Sequence, residues 1–164
     1  MVFFSLLVPK GINLIERQGK CYNERMEKPF LDEKGKEEVK KHLKPIPDSH
    51  PDREYLVELV TDELTAICPF YGNPDFYRLR ILYVPDKTVV ELKSLKFYIT
   101  AFRDYRTTHE NLLNTIFDQL QELMKPRYML IELDVAVRGG IKTRILRESG
   151  ERPRIFEVEA RFRV

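Results

Sequence analysis

The pattern of hydrophobic and polar positions changes character at Arg53. Residues 1 to 53 hold few long periodic segments, and the charged run Glu33 to Lys44 leads into Pro45, Pro47 and Pro51. Repeated prolines oppose a continuous helix, so this stretch is read as an N-terminal extension and linker, with residues 54 to 164 as the folded domain. Beyond Arg53, Tyr55, Val57 and Leu59, then Leu64 and Ala66, predict a strand that finishes at Cys68-Pro69. The run Tyr71-Gly72-Asn73-Pro74 predicts a turn. Tyr77, Leu79, Ile81 and Tyr83 then alternate with Arg78 and Arg80, as expected of a half-buried strand able to pair with the first as a hairpin.

Pro85-Asp86 predicts a turn before Val89-Val90-Glu91. Leu95, Tyr98, Ile99 and Phe102 then recur at helical spacing and predict a helix ending near Tyr105. Thr107 and Glu110 have the spacing of a capping box. The stripe Leu112, Leu113, Ile116, Phe117, Leu120 and Met124 predicts a second helix, stopped by Pro126. Met129, Ile131, Leu133, Val135 and Val137 alternate with polar neighbours and predict a strand that breaks at Gly139-Gly140. Residues 141 to 147 and 155 to 164 are read as further strands. This order gives an α+β class, with an antiparallel sheet carrying two helices on one face. The other face would want a partner, and unpaired sheet edges favour edge-to-edge closure into a ring.

Composition narrows the function classes. The 164 residues are 43% hydrophobic, enough for a core without disulfides, and the formal net charge is only +2 with acidic and basic residues interspersed. Tight nucleic-acid binding driven by phosphate neutralisation is not indicated. The two cysteines, Cys21 and Cys68, and three histidines suggest neither a metal site nor a disulfide framework, so a reducing cytoplasm is the expected compartment. The start MVFFSLLVPK lacks the basic region and cleavage site of a secretory signal, and no stretch approaches membrane-spanning length.

Candidate chemistry gathers around a few positions, each with an ordinary alternative. Cys68 ends a strand before Pro69 and a glycine turn. Its sulfur could be exposed at the sheet rim, though a lone cysteine is more often a packed small hydrophobe. Asp75, across the turn, could reach the same rim or cap the turn. Glu110 is explained by helix capping, while His109 gains little at a helix start and could face a pocket. Lys93, Lys96 and Arg103, with Arg138 beside Gly139-Gly140, could meet phosphates or simply be solvated, and no glycine-rich nucleotide loop is present.

The segments LTAICPFYGNPDF (64 to 76), VPDKTVVELKSLKFY (84 to 98) and HENLLNTIFDQL (109 to 120), followed by PRY (126 to 128) and RGGI (138 to 141), occur together in one order. In this combination the chain resembles the 7-cyano-7-deazaguanine reductases. Glu91, Leu92, Lys93, Ser94, Leu95, Lys96 and Tyr98 match that family's ELKSLKFY-type signature. The resemblance implies the tunnelling fold, with subunits closing into barrel-like rings, two stacked pentamers, and sites between subunits. It implies NADPH as cofactor, 7-cyano-7-deazaguanine as substrate, Cys68 as the nucleophile that forms a thioimide, and Asp75 as proton donor. It further implies that Val90, Glu91, Leu92, His109 and Glu110 bind the base, and that Leu92, Lys93, Lys96, Arg138 and Gly139 border the cofactor. The alternatives are the related archaeosine-forming amidinotransferase acting on tRNA, and a noncatalytic purine-binding protein of the same fold. The likeness thins after Ile141, and Cys21 has no counterpart in the family.

Overall fold

A computed structural model describes residues 28–153; the expected strand over 155 to 164, Cys21 and the apolar start lie outside the described residues. The elements in chain order are α1 (Glu33–Lys40), β1 (Pro45–Pro47), β2 (Val57–Ile67), β3 (Pro74–Val84), β4 (Thr88–Val90), α2 (Leu92–Ala101), a 3₁₀ turn (Phe102–Asp104), α3 (His109–Met124), β5 (Tyr128–Arg138) and β6 (Ile141–Gly150). The main sheet has the order β2-β3-β5-β6 with every pair antiparallel, and β1 and β4 form a separate two-stranded piece.

Period-two alternation gives this sheet two unlike faces. Tyr77, Leu79, Ile81 and Tyr83 of β3 and Met129, Ile131, Leu133 and Val135 of β5 are buried beneath Leu95, Tyr98, Ile99 and Phe102 and beneath the Leu112 to Met124 stripe of α3. Burial of side chains of this size stabilises by about 1.5–3 kcal/mol each, so this layer supplies most of the folding drive. The opposite face carries cross-strand ion pairs, Arg80 with Glu58 at 2.5 Å, Arg144 with Glu132 at 2.6 Å and Lys142 with Asp134 at 2.5 Å. Exposed Val60, Phe76 and Leu146 lie among these pairs, so this face mixes ion pairs with uncovered apolar side chains. Among the described residues, β2 and β6 are the sheet edges.

Two sequence expectations are corrected. The described part of the presumed linker is folded: Leu31, Val39 and Leu43 are buried in the main core. The prolines lie beyond α1, which ends at Lys40, and Pro45 and Pro47 sit in β1. Upstream of them Asp32 caps α1, accepting from the Gly35 N–H at 2.9 Å. α1 is tied to α3 by Gln119, whose Nε2 donates to the Lys36 carbonyl at 2.8 Å while its Oε1 accepts from the buried Tyr98 hydroxyl at 2.7 Å. The second correction concerns α3. Its cap is Thr108, which accepts from the Asn111 N–H at 3.3 Å, and not Thr107, which is buried one residue earlier. His109 thereby opens the helix and the exposed Glu110 is released from the capping-box task.

Candidate active site

One end of the sheet collects the chemistry. The β2–β3 hairpin closes through the turn that holds Cys68: the Cys68 N–H donates to the Asn73 carbonyl at 2.8 Å and the Gly72 N–H donates to the Cys68 carbonyl at 3.0 Å. Gly72 takes φ +67°, a left-handed conformation that glycine adopts without a Cβ penalty. Pairing of Ile67 with Pro74 places Asp75 opposite Ala66 on the helix-covered face. Cys68 is a partly exposed free thiol, while the Asp75 side chain is 1% exposed.

A buried carboxylate needs a partner. Arg138, at the end of β5, supplies it through a hydrogen-bonded ion pair to Asp75 Oδ1. Asp75 Oδ2 is buried with no hydrogen-bond partner among the described residues. The Asp75 charge raises the pKa of Arg138 further, with the nearby Cys68 adding to the same effect. The three side chains thus form one contiguous group.

His109 and Glu110 reach this end because residues 105–107 run alongside the end of β2. Ile67 N–H donates to the Tyr105 carbonyl and Thr107 N–H to the Ile67 carbonyl, each at 3.0 Å. The Arg106 guanidinium donates to the Pro69 carbonyl and lies 4.4 Å from the Phe30 ring centroid, fastening the cysteine turn from outside. His109 Nδ1 is 2.8 Å from the hydroxyl of Tyr77, two residues beyond Asp75 on the same face. Burial first, then the charges of Asp75 and Cys68, hold the Tyr77 phenol protonated far above its usual range. The phenol has a proton to give, and its donation to Nδ1 goes with the His109 tautomer that carries the ring proton on Nε2. Tyr77 and Arg106 were not among the residues singled out from sequence. Tyr77 falls within the alternating core pattern of β3, and Arg106 has no periodic signal.

The remaining expected site residues lie elsewhere in the chain's own fold. Val90, Glu91 and Leu92 follow the far end of β3, and α2 with its 3₁₀ turn, about 20 Å of helix, separates them from the cysteine turn. Val90 is buried, while Glu91 caps α2 with both oxygens, accepting from the N–H groups of Lys93 and Ser94 at 2.7 Å each. Leu92 is 62% exposed. With Lys96, Leu95 and Ile99 it lines a groove of about 440 Å³ along the β2 edge. Lys93 and Lys96 are exposed and pair with no carboxylate among the described residues. Two free ammonium groups at the positive end of a helix suit a phosphate-bearing cofactor. Within one chain the expected site residues thus fall into two separated groups.

This architecture, with a cysteine and a buried aspartate at the mouth of its first long hairpin, is that of a tunnelling-fold protein. The family model described as QueF-like protein matches residues 74–162, over half of the chain, which belongs to that family. A protein of Thermomicrobium roseum named NADPH-dependent 7-cyano-7-deazaguanine reductase is 45% identical over 103 residues, covering 63% of this chain and 80% of the relative. Proteins of the same name from an Anaeromyxobacter species and from Thermoanaerobacter pseudethanolicus are 44% and 41% identical, covering 68% and 76% of this chain and 91% and 92% of those relatives. A crystal structure described as the archaeosine synthase QueF-Like in the apo form superposes with a TM-score of 0.55 at 22% identity, covering 60% of this chain and 96% of that one. That likeness is one of fold.

Proposed function

We propose that this protein reduces the nitrile of 7-cyano-7-deazaguanine to the aminomethyl group with NADPH, through a covalent thioimide on Cys68. The observation that carries the reading is the junction of a partly exposed thiol with a buried aspartate that keeps one oxygen, Oδ2, without a partner. A nitrile is a poor hydride acceptor. Addition of the Cys68 sulfur to its carbon forms a C–S bond and leaves a C=N nitrogen that takes up a proton, a step assigned to Asp75 Oδ2, whose lack of a partner supports it. NADPH, when bound, supplies the two hydrides of the four-electron reduction.

His109 Nε2–H and the Glu110 carboxylate offer one donor and one acceptor at the mouth of the Cys68 site, suited to the edge of a purine-like base. Val90, Glu91 and Leu92 are assigned to the same base and Leu92, Lys93, Lys96, Arg138 and Gly139 to the cofactor. These two sets come together only if a second copy brings its α2 start to the Cys68 end. The proposal thus includes a homo-oligomer closed through the β2 and β6 edges, consistent with stacked pentameric rings.

Intact-protein mass after incubation with 7-cyano-7-deazaguanine, first without and then with NADPH, tests the chemistry. A substrate adduct on the wild type, missing in Cys68→Ala and discharged as NADPH is oxidised, is expected. An adduct indifferent to NADPH would point to amidine-forming chemistry instead, and no adduct on either protein would overturn the Cys68 mechanism.

A further inference from the structure

A carboxylate bonded to arginine is ordinarily a poor proton carrier, and yet Asp75, the group placed to move protons, is bonded to Arg138. The way β5 ends removes the conflict. Met129, Ile131, Leu133 and Val135 face the helices, so strict alternation would send Arg138 to the opposite, charged face of the sheet. The register breaks between Val135 and Arg138, and Arg138 then pairs with Ile141 to close a two-residue hairpin at Gly139 (φ +57°) and Gly140 (φ +78°). An irregularity of this kind re-aims a side chain. Here it turns the guanidinium back onto the Asp75 side, where the tight turn fixes its backbone. Neither glycine has a neighbouring atom within 4 Å of where a Cβ would stand, so the tip makes no packing demand of its own.

Building on the reductase reading, we propose that Arg138 is a catalytic residue that holds the Cys68–Asp75 proton exchange, a task separate from any contact with the cofactor. Before attack the pair shares one proton. It resides either on sulfur, with Asp75 a carboxylate, or on Asp75 Oδ2, with Cys68 a thiolate. Each arrangement contains a single negative charge, and the guanidinium faces that charge in both. Exchange therefore needs no partner to leave: Arg138 keeps Oδ1 while Oδ2, the oxygen without a partner, takes the proton from sulfur. The thiolate lone pair then forms the C–S bond, the nitrile π pair moves to nitrogen, and Oδ2 returns the proton there. The carboxylate is regenerated and the net reaction is addition of S–H across C≡N. Without the cation, both charged arrangements would stand uncompensated beside a buried side chain. The rise in the Arg138 pKa caused first by Asp75 and then by Cys68 agrees with this shared placement.

The test follows alkylation of Cys68 by iodoacetamide as a function of pH, read on the Cys68 peptide so that Cys21 does not contribute, in the wild type, Arg138→Gln and Arg138→Lys. Arg138→Gln is expected to move the midpoint of the profile upward by about one pH unit, slowing alkylation near pH 7 about tenfold while leaving the alkaline plateau in place. Arg138→Lys, which keeps the charge and the fold of the hairpin, should recover part of the loss. Adduct formation with the nitrile in the absence of NADPH should fall in parallel. Superimposable alkylation profiles, with only the KM for NADPH raised, would overturn the inference and leave Arg138 a cofactor contact. A shifted profile in protein that forms no nitrile adduct would uphold the role of Arg138 toward the thiol and overturn the substrate reading instead.

Discussion

Tyr77 is buried in the β3 core, and its hydroxyl is nevertheless the group that orients His109. The two rings meet edge to face, with centroids 5.5 Å apart, so shape and hydrogen bond act together. Tyr77→Phe keeps the packing and removes only the donor. A hydrogen bond of this kind contributes about 1 kcal/mol, and its loss should lower kcat/KM for the nitrile substrate about fivefold, mainly through KM. Initial rates across substrate concentration, with the urea midpoint as a fold control, check this; an unchanged KM would mean that His109 needs no help from Tyr77. At this scale sequence is least informative. Cys68 and Asp75 stand out because a resemblance marks them, whereas Tyr77 falls on the buried side of an alternating strand and looks like any core residue. The charge of Arg138 is plain in the sequence, but its direction depends on a register break that alternation cannot foresee.

Helix α1 and strand β1 are where the reading of elements departed most from the fold. Within EKGKEEVK only Val39 is a large apolar residue, so the stripe that reveals α3 is missing and the charges dominate. The helix exists because Asp32 caps it and because Val39, with Leu31 and Leu43 on either side, finds a core already formed by α2 and α3. Val39, at 1% exposure, is therefore a structural residue. Val39→Ala should cost about 2 kcal/mol, read as a lower urea midpoint without a change in slope, whereas a residue in a free linker would leave the midpoint in place. The long strands and α3 were legible for the opposite reason: their apolar positions keep one period for several turns or pleats, and glycine or proline marks their ends. The choice between Thr107 and Thr108 as cap was not legible, because both can cap and only packing against the end of β2 decides which one turns inward.

At the scale of the molecule, the proposed function has to accommodate the separation of Val90, Glu91 and Leu92 from the cysteine turn. Glu91 is spent on capping α2 within its own chain, about one helix length from Cys68. The edges of the described sheet offer a route. β2 carries the Leu92 and Lys96 groove on its flank, and β6 follows the hairpin that positions Arg138, so pairing the β2 edge of one copy with the β6 edge of the next is the arrangement we propose for bringing one chain's α2 to its neighbour's cysteine turn. A site shared in this way predicts complementation. Cys68→Ala and Glu91→Gln chains, each inactive alone, should regain activity when they are mixed under conditions that exchange subunits. In an equal mixture about a quarter of the interfaces would pair an intact cysteine half with an intact Glu91 half, so activity should approach about a quarter of the wild-type value. A mixture that exchanges subunits, as native mass spectrometry would verify, and stays as inactive as its parents would place the whole site within one chain. The fold described above would then have to open between α2 and β2 for catalysis.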